Sequence, residues 1–405
     1  MSQSQAFAAL RRPAFRGLFL GSSLAMMADS IEHVISYWIL YEKFQSPALG
    51  GFAVLSHWLP FLLLSVYSGA LADRFGPRRM IAFGMALFMA VSIAWGLLFA
   101  TDALQIWHAM VLLTLHGLAG VLWSPAQQLL IHDVIEEREL HSAVRLMATS
   151  RWLGLLFGPA VGAGLFALTG PVWGIFLNAA IYLPMLLWLR RAPRGHRIAP
   201  HRLRAFADIV ATVRQVSSHR LIVSLILLAG GTSLLVGNAY HAQMPEFAHH
   251  LGHREADFTY GMLLSADAAG ALVAGLALES RGLLAPSVRR AFTLAMLWCA
   301  TLIAFAVARS FPLAVALLFV AGFLELAFNA MAQSLVQVHA PAAIRGRIIG
   351  LYATAALGMR TFSGLSVGLG GAVLGIHASL ALSAAALLAL LVLGVMLART
   401  KGTPP

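Results

Sequence analysis

Long apolar stretches alternate with short polar ones along the whole chain, and this pattern predicts the fold. Twelve stretches are long enough to cross a bilayer as helices, which takes roughly 20 mostly apolar residues each. Because lipid offers no partner to unpaired backbone groups, helix is the expected conformation of every stretch. Their approximate limits are 15–41, 48–72, 79–100, 104–131, 143–168, 171–190, 220–246, 256–278, 289–309, 311–337, 346–371 and 376–398. The sequence therefore predicts an all-α membrane protein with twelve transmembrane helices.

The sequence also carries a weak internal repeat. A shift of 206 residues aligns Gly69, Asp73 and Gly76 with Gly275, Glu279 and Gly282, Ala126 and Gln127 with Ala332 and Gln333, and Gly158, Gly162 and Gly164 with Gly364, Gly368 and Gly370. Such a period predicts two pseudo-symmetric six-helix halves in parallel orientation, with substrate held between them near the membrane midplane. The predicted division is an N-terminal half at 1–190, a cytoplasmic linker at 191–219 and a C-terminal half at 220–405.

The linker contains its own apolar pattern. Leu203, Phe206, Ile209, Val210 and Val213 are spaced as on one face of a helix that could lie on the inner leaflet. A solvated tether between the halves fits the same residues equally well.

Composition and charge agree with a membrane protein. The chain is 60% hydrophobic and 11% charged, with a mean hydropathy of +0.80, which leaves too little polar surface for a soluble globule of 405 residues. Most of its 28 lysine and arginine residues fall in alternate loops, which places those loops and both termini in the cytoplasm. Topology therefore accounts for the net charge of +12, and nucleic acid is not an expected partner.

A dense charged turn separates the second and third apolar stretches. It contains Gly69, Asp73, Arg74, Gly76, Arg78 and Arg79. The carboxylate of Asp73, at the end of the second helix, could pair with Arg78 or with the positive N-terminal end of a neighbouring helix. The turn resembles the loop signature of the major facilitator superfamily. That resemblance implies that the loop holds the cytoplasmic gate and that Asp73 and Arg74 act in conformational change rather than in substrate binding.

A second motif lies in the fifth apolar stretch and consists of Gly154, Gly158, Pro159 and Gly162. Glycines four residues apart allow two helices to pack closely, and proline permits a bend. The segment resembles the antiporter signature of drug:proton exchangers, with Ala163 in place of the last glycine. An ordinary packed helix with a kink would need the same residues. Upstream, the segments 124–128 and 133–140 resemble the enterobactin-exporter-like branch, which includes siderophore and macrolide exporters.

Ionisable residues inside the apolar stretches are few, and such residues usually persist for function. Asp29 and Glu32 share one face of the first helix, Asp267 lies in the eighth, and Glu325 precedes Asn329 by one turn in the tenth. The two embedded bases are Arg151 and Arg360. Asp29 or Glu32 is the preferred carrier of protons and cations, and Glu325 is the second choice. Alternatively, Asp267 and Glu325 are buried ions paired with an arginine.

Histidines are plentiful but show no recognised metal spacing. His241, His249, His250 and His253, with Glu246 and Glu255, cluster in the outer loop between the seventh and eighth stretches. Solvated loop histidines explain them better than a zinc site, and no metal or cofactor is predicted. His33, His57 and His116 lie at membrane depth and could relay protons, although the acids are preferred as proton carriers.

These observations predict a secondary active transporter of the plasma membrane, the inner membrane in bacteria. The expected function is proton-coupled efflux of amphipathic or cationic small molecules by alternating access, carried out by a monomer in lipid. A siderophore or metabolite exporter of narrow specificity is the alternative, followed by an uptake facilitator and by a membrane protein that senses or handles lipid. No nucleophile with a base, phosphate-binding glycine loop or soluble carboxylate pair supports an enzyme.

Overall fold

The computed structural model describes residues 7–44, 47–193, 205–237, 239–242, 244–251, 259–281, 286–363 and 370–400. Within these ranges the chain is helical and contains no strand. The α-helices are α1 Pro13–Phe44, α2 Pro47–Phe75, α3 Pro77–Ala100, α4 Ile106–Val134, α5 Leu140–Ile181, α6 Leu183–Leu189, α7 Ala205–Val216, α8 Arg220–Leu235, α9 Ala239–Ala242, α10 Met244–His250, α11 Thr259–Arg281, α12 Val288–Ala306, α13 Phe311–His339, α14 Arg345–Ala353, α15 Arg360–Ser363, α16 Gly370–Leu374 and α17 Ile376–Thr400.

Most of the predicted spans are long apolar helices. Among the described residues, nine helices are long and apolar enough to cross a membrane. The number becomes ten if the pair Val210–Val216 and Arg220–Leu235, bent by 119°, forms one span. The all-α membrane class is therefore confirmed.

The boundary between the fifth and sixth predicted spans lies inside α5. Gly170 interrupts the helix there with φ 73° and ψ 173°, a conformation that only glycine adopts without strain. Pro171 follows and has no backbone N–H to donate to the preceding turn. The backbone break in α5 is thus at Gly170, between the stretches 143–168 and 171–190, and not at Pro159.

Two predicted spans are discontinuous. The stretch 220–246 begins as α8, which ends at Leu235 just before Gly237, whose φ is +51°. The stretch 346–371 begins as α14 and continues as a π-helical segment, Thr354–Gly358, before α15. Broken helices survive in lipid only where other groups bind the freed backbone atoms. Here the hydroxyl of Ser233 on α8 donates to the carbonyl of Ala356 in the π-helical segment, at 2.6 Å.

The described helices form two compact units. The N-terminal unit comprises Ala8–Thr212 and Pro341–Thr354, and the C-terminal unit comprises Met1–Phe7, Val213–Ala340 and Ala355–Pro405. In the N-terminal unit α1 packs on α5, and α2 packs on α4 and α14; in the C-terminal unit α11 packs on α13, and α12 packs on α13 and α17. The predicted linker does contain a helix, α7. The division at residues 190 and 219 stays a prediction.

Candidate functional site

In the N-terminal unit, His116 lies between the two acids of the first helix. Its Nε2 is 2.7 Å from Oδ1 of Asp29, and its Nδ1 is 2.7 Å from Oε1 of Glu32. All three residues are buried, with 9%, 2% and 3% of the surface of Asp29, Glu32 and His116 exposed. The i, i+3 spacing puts both carboxylates on one face of α1, as the sequence predicts. The packing of α4 beside α1 then brings in the imidazole, which the sequence could not show.

Two further histidines complete this group, which we call the N-terminal cluster: Asp29, Glu32, His33, His57 and His116. Nδ1 of His33 is 3.7 Å from Oδ2 of Asp29, one turn earlier on α1. The ring centre of His33 lies 4.8 Å from that of His116 and 5.0 Å from that of His57 on α2. The cluster therefore joins three helices through charged and polar side chains.

The glycine motif of α5 sets the position of α1. A Cβ atom built on Gly158 would overlap with Cβ of Ser30, and one on Gly162 would come within 3.2 Å of Cα of Ile31. Side chains at these positions would therefore push away the part of α1 that carries Asp29. In the described structure the motif, with Gly154 against Met26, is a helix-packing surface.

Gly158→Ala tests this packing. We expect the added methyl group to lower thermal stability in detergent, with a cost of about 1–3 kcal/mol typical of overpacking. Gly164→Ala is the matched control on the same helix, because a Cβ there meets nothing within 4 Å. Equal melting temperatures for the two variants would contradict close packing of α1 on α5.

A second buried group, the C-terminal cluster, contains Tyr240, His241, Asp267, Glu325 and Arg360. The hydroxyl of Tyr240 is 3.3 Å from Oε2 of Glu325 and 3.5 Å from Oδ1 of Asp267. Nε2 of His241 is 3.2 Å from Oδ2 of Asp267, and the Arg360 guanidinium is 4.0 Å from Oε1 of Glu325. Asp267 and Glu325 are 1% and 7% exposed. Two carboxylates thus share one hydroxyl, beside an arginine and a histidine.

Two other intramembrane residues that the sequence singles out, Asn329 and Arg151, lie close to these clusters. Asn329 is half-buried one turn after Glu325 on α13. Arg151 is half-buried on α5 and interacts electrostatically with His57. Their roles stay predictions.

The charged turn after α2 contacts the first residues of α14. Oδ1 of Asp73 accepts a hydrogen bond from the backbone N–H of Gly346, at 3.1 Å. Of the two partners predicted for Asp73, the N-terminal end of a helix is therefore the one observed. Arg78 instead donates to the carbonyl groups of Arg190 and Ala192, at 2.9 and 3.1 Å.

Glycines make this contact and the turn itself possible. A Cβ on Gly69 would overlap with the carbonyl oxygen of Gly346, so the two helices meet backbone to backbone. Gly76 ends the turn with φ 88°, a left-handed conformation, at the N-cap of α3. Arg74 and Arg79 are exposed, which agrees with the topogenic role of basic residues in loops.

The outer-loop histidines are only partly described. His241 belongs to the C-terminal cluster, and Nδ1 of His250 lies 3.0 Å from Nε2 of His377 on α17. His253 and Glu255 lie outside the described residues, as do the side chains of His249 and Glu246.

Solved structures of other proteins show which fold the chain has. The human organic anion transporter MFSD10 is 15% identical with a TM-score of 0.73, covering 96% of this chain and 99% of that chain. The E. coli fucose:proton symporter FucP is 14% identical with a TM-score of 0.72, covering 93% of this chain and 96% of that chain. Likeness at such low identity shows the fold, which is that of major facilitator superfamily transporters.

The chain belongs to the family described as transmembrane secretion effector, MFS_3, whose family model matches residues 4–402. It is therefore a multi-pass membrane transporter and not an enzyme. An uncharacterized MFS-type transporter of Sinorhizobium fredii, y4rN, is 25% identical over 65% of this chain and 66% of its own length. Macrolide efflux protein A of Streptococcus pyogenes is 22% identical over the same shares. The Bacillus subtilis transporter YqjV is 28% identical over 36% of this chain and 34% of its own length. The matched segments thus cover from about one third to just under two thirds of these relatives.

Proposed function

We propose that this transporter exports amphipathic or cationic small molecules in exchange for protons, and that Asp267 and Glu325 carry the proton. The observation that supports the proposal best is the hydroxyl of Tyr240, which lies 3.5 Å from one carboxylate and 3.3 Å from the other. Two buried carboxylates this close repel each other when both are ionised, so one of them favours the protonated form.

The neighbours of the pair allow the proton to leave as well as to bind. Arg360 lies 4.0 Å from Glu325, and His241 lies 3.2 Å from Asp267, so either carboxylate has a partner when it is ionised. Because Tyr240 has one hydroxyl proton to donate, its hydrogen bond can move from one carboxylate to the other. A conformational change that moves Arg360 away from Glu325 would thus favour protonation, and its return would favour release.

The sequence favours Asp29 or Glu32 as the proton carrier, whereas the acids of the C-terminal cluster are the carriers proposed here. Asp29 and Glu32 each have a close partner in the imidazole of His116, at 2.7 Å. The basic groups beside the pair Asp267 and Glu325 lie farther away: Nε2 of His241 is 3.2 Å from Asp267, and the guanidinium of Arg360 is 4.0 Å from Glu325. The acids of the C-terminal cluster are therefore bound less closely by their neighbours, which favours them as the groups that exchange a proton.

Direction and cargo are proposed from the comparisons. The family is described as a secretion effector, one relative is named a macrolide efflux protein, and another, from Enterobacter, a multidrug resistance protein. These descriptions support export as the direction of transport, and the macrolide efflux protein supports an amphipathic cargo. A relative named staphyloferrin A transporter supports the second candidate, a siderophore-type cargo. We further propose a monomer in the bacterial inner membrane, in contact with lipid and with both termini in the cytoplasm.

Transport into proteoliposomes tests this function. An acidic lumen is expected to drive uptake of a radiolabelled macrolide or lipophilic cation, and a pH-sensitive dye in the lumen should report the protons that leave. A protonophore should abolish the uptake. Protein-free liposomes are the control, because weak bases accumulate passively in an acidic lumen. Uptake without proton movement would exclude coupling, and transport restricted to a siderophore would favour the second candidate.

A further inference from the structure

We propose that the N-terminal unit binds a divalent first-row transition-metal ion, with Asp29, His33, His57 and His116 as its ligands. One ligand atom from each of these side chains lies within 4.8 Å of the others. The four residues come from α1, α2 and α4, and the spacing of Asp29 and His33, one turn apart, directs both toward the same point. This inference concerns a different unit and does not depend on the proposed proton site.

The set of donor atoms fits such an ion. Imidazole nitrogen suits Zn²⁺, Ni²⁺ and Cu²⁺, and a carboxylate commonly completes a site of histidines. A tetrahedral ion with bonds of about 2.0–2.1 Å keeps its ligand atoms about 3.4 Å apart. The separations observed here, up to 4.8 Å, are close enough for side-chain rotations to gather the ligands around one ion.

An unsatisfied atom points to the same site. Nδ1 of His57 is buried and has no hydrogen-bond partner among the described residues. Buried polar atoms in native proteins nearly always have a partner, so one without a partner calls for an explanation. A metal ion bound between His57 and its neighbours would supply it.

Glu32 contacts one of the proposed ligands, His116, and would hold its ring in place without binding the ion itself. Histidines that bind metals usually donate their second ring N–H to a carboxylate, which fixes the orientation of the ring. Here Nδ1 of His116 lies 2.7 Å from Glu32, and Nε2 is directed at Asp29. The hydroxyl of Ser92 donates in turn to Glu32, and the side-chain amide of Asn178 donates to Ser92 at 3.4 Å. An ion would replace the proton between His116 Nε2 and Asp29.

Charge is consistent with a divalent ion. The cluster contains two carboxylates, Asp29 and Glu32, and Arg151 interacts electrostatically with His57 from α5. With neutral imidazoles, the acids outnumber the arginine, and the buried excess of negative charge favours a cation. Residue spacing along the chain does not indicate this site, because its ligands come from three helices.

Metal titration of the purified full-length protein, without a histidine tag, tests the proposal. Co²⁺ is the probe, since four-coordinate binding produces visible absorption much more intense than that of hydrated Co²⁺, and Zn²⁺ should displace it. We expect one ion per chain. Mutating a residue that only hydrogen-bonds to a metal ligand typically weakens binding by roughly 10–100-fold. Replacing a ligand itself, as in His57→Ala or His33→Ala, should weaken Co²⁺ binding by at least as much. Glu32→Gln should weaken it within that range while leaving the stoichiometry unchanged.

Two histidine variants outside the cluster are the matched controls. His219→Ala removes an exposed residue at the start of α8, and His250→Ala breaks the exposed pair with His377. Both should bind Co²⁺ like the unmodified protein. The proposal would be overturned by wild-type affinity in well-folded His57→Ala and His33→Ala, by loss of binding in His250→Ala, or by a hydrated-ion spectrum. Melting temperatures of the metal-free variants separate loss of the site from loss of the fold.

Discussion

Glu325→Gln is expected to reduce proton-driven uptake to the level of protein-free liposomes. Glutamine keeps nearly the same shape and can still contact Tyr240, which lies 3.3 Å from the carboxylate. It cannot take up or release a proton, and it removes the negative charge that lies 4.0 Å from the Arg360 guanidinium. Exchange of labelled for unlabelled substrate without a pH gradient should persist, because that reaction needs no net proton transfer. The variant would thus separate coupling from binding.

Asp267→Asn and Tyr240→Phe test whether Asp267 and Glu325 together carry the proton. If the two carboxylates share the proton, Asp267→Asn should also lower coupled uptake, since Glu325 would lose the neighbouring charge that favours its protonation. Tyr240→Phe removes only the shared hydroxyl and should have a smaller effect. Glu137→Gln, at an exposed acid outside the cluster, is the matched control and should transport normally. Full coupled transport by both Glu325→Gln and Asp267→Asn would exclude this pair as the proton site.

Gly346→Ala is expected to break the contact between Asp73 and the first turn of α14. A Cβ on Gly346 would overlap with the carboxylate of Asp73, so that carboxylate would have to move away from its 3.1 Å hydrogen bond with the backbone N–H. A hydrogen bond to a charged group contributes about 1.5–3 kcal/mol. A transporter alternates between two conformations. If only one of them contains this hydrogen bond, losing the bond would shift the equilibrium roughly 10–150-fold toward the other conformation. Transport should slow markedly, because a cycle needs both states.

Hydrogen exchange provides the direct measurement. The amides of α14 should exchange faster in Gly346→Ala, and Asp73→Asn should produce a similar increase, since it removes the same charge-assisted bond. The double variant should be no worse than either single variant, as expected for one shared interaction. Gly394→Ala is the control, because a Cβ there meets nothing within 4 Å. Unchanged exchange in both single variants would show that the contact does not hold α14.

The helices could be predicted because their cause is local. An apolar stretch of sufficient length has to be helical in lipid, wherever it packs. The predicted limits 143–168 and 171–190 also fall on either side of Gly170, where α5 is interrupted, and residue spacing placed Asp29 and Glu32 on one face of α1. Two spans, 220–246 and 346–371, were predicted as continuous but are broken. Hydrophobicity alone could not reveal this, because the groups that satisfy the freed backbone, such as Ser233, come from another helix.

The sites depend on distances between helices, which no local pattern contains. Residue spacing along α1 predicted the pair Asp29 and Glu32, but His57 and His116 join them only because α2 and α4 pack beside α1. Likewise, Asp267 and Glu325 lie 58 positions apart in the chain and meet at the hydroxyl of Tyr240. The hydrophobicity and length of each segment thus decide which segments span the membrane. Side-chain packing between helices decides which of their few charged groups meet, and therefore what the protein can bind.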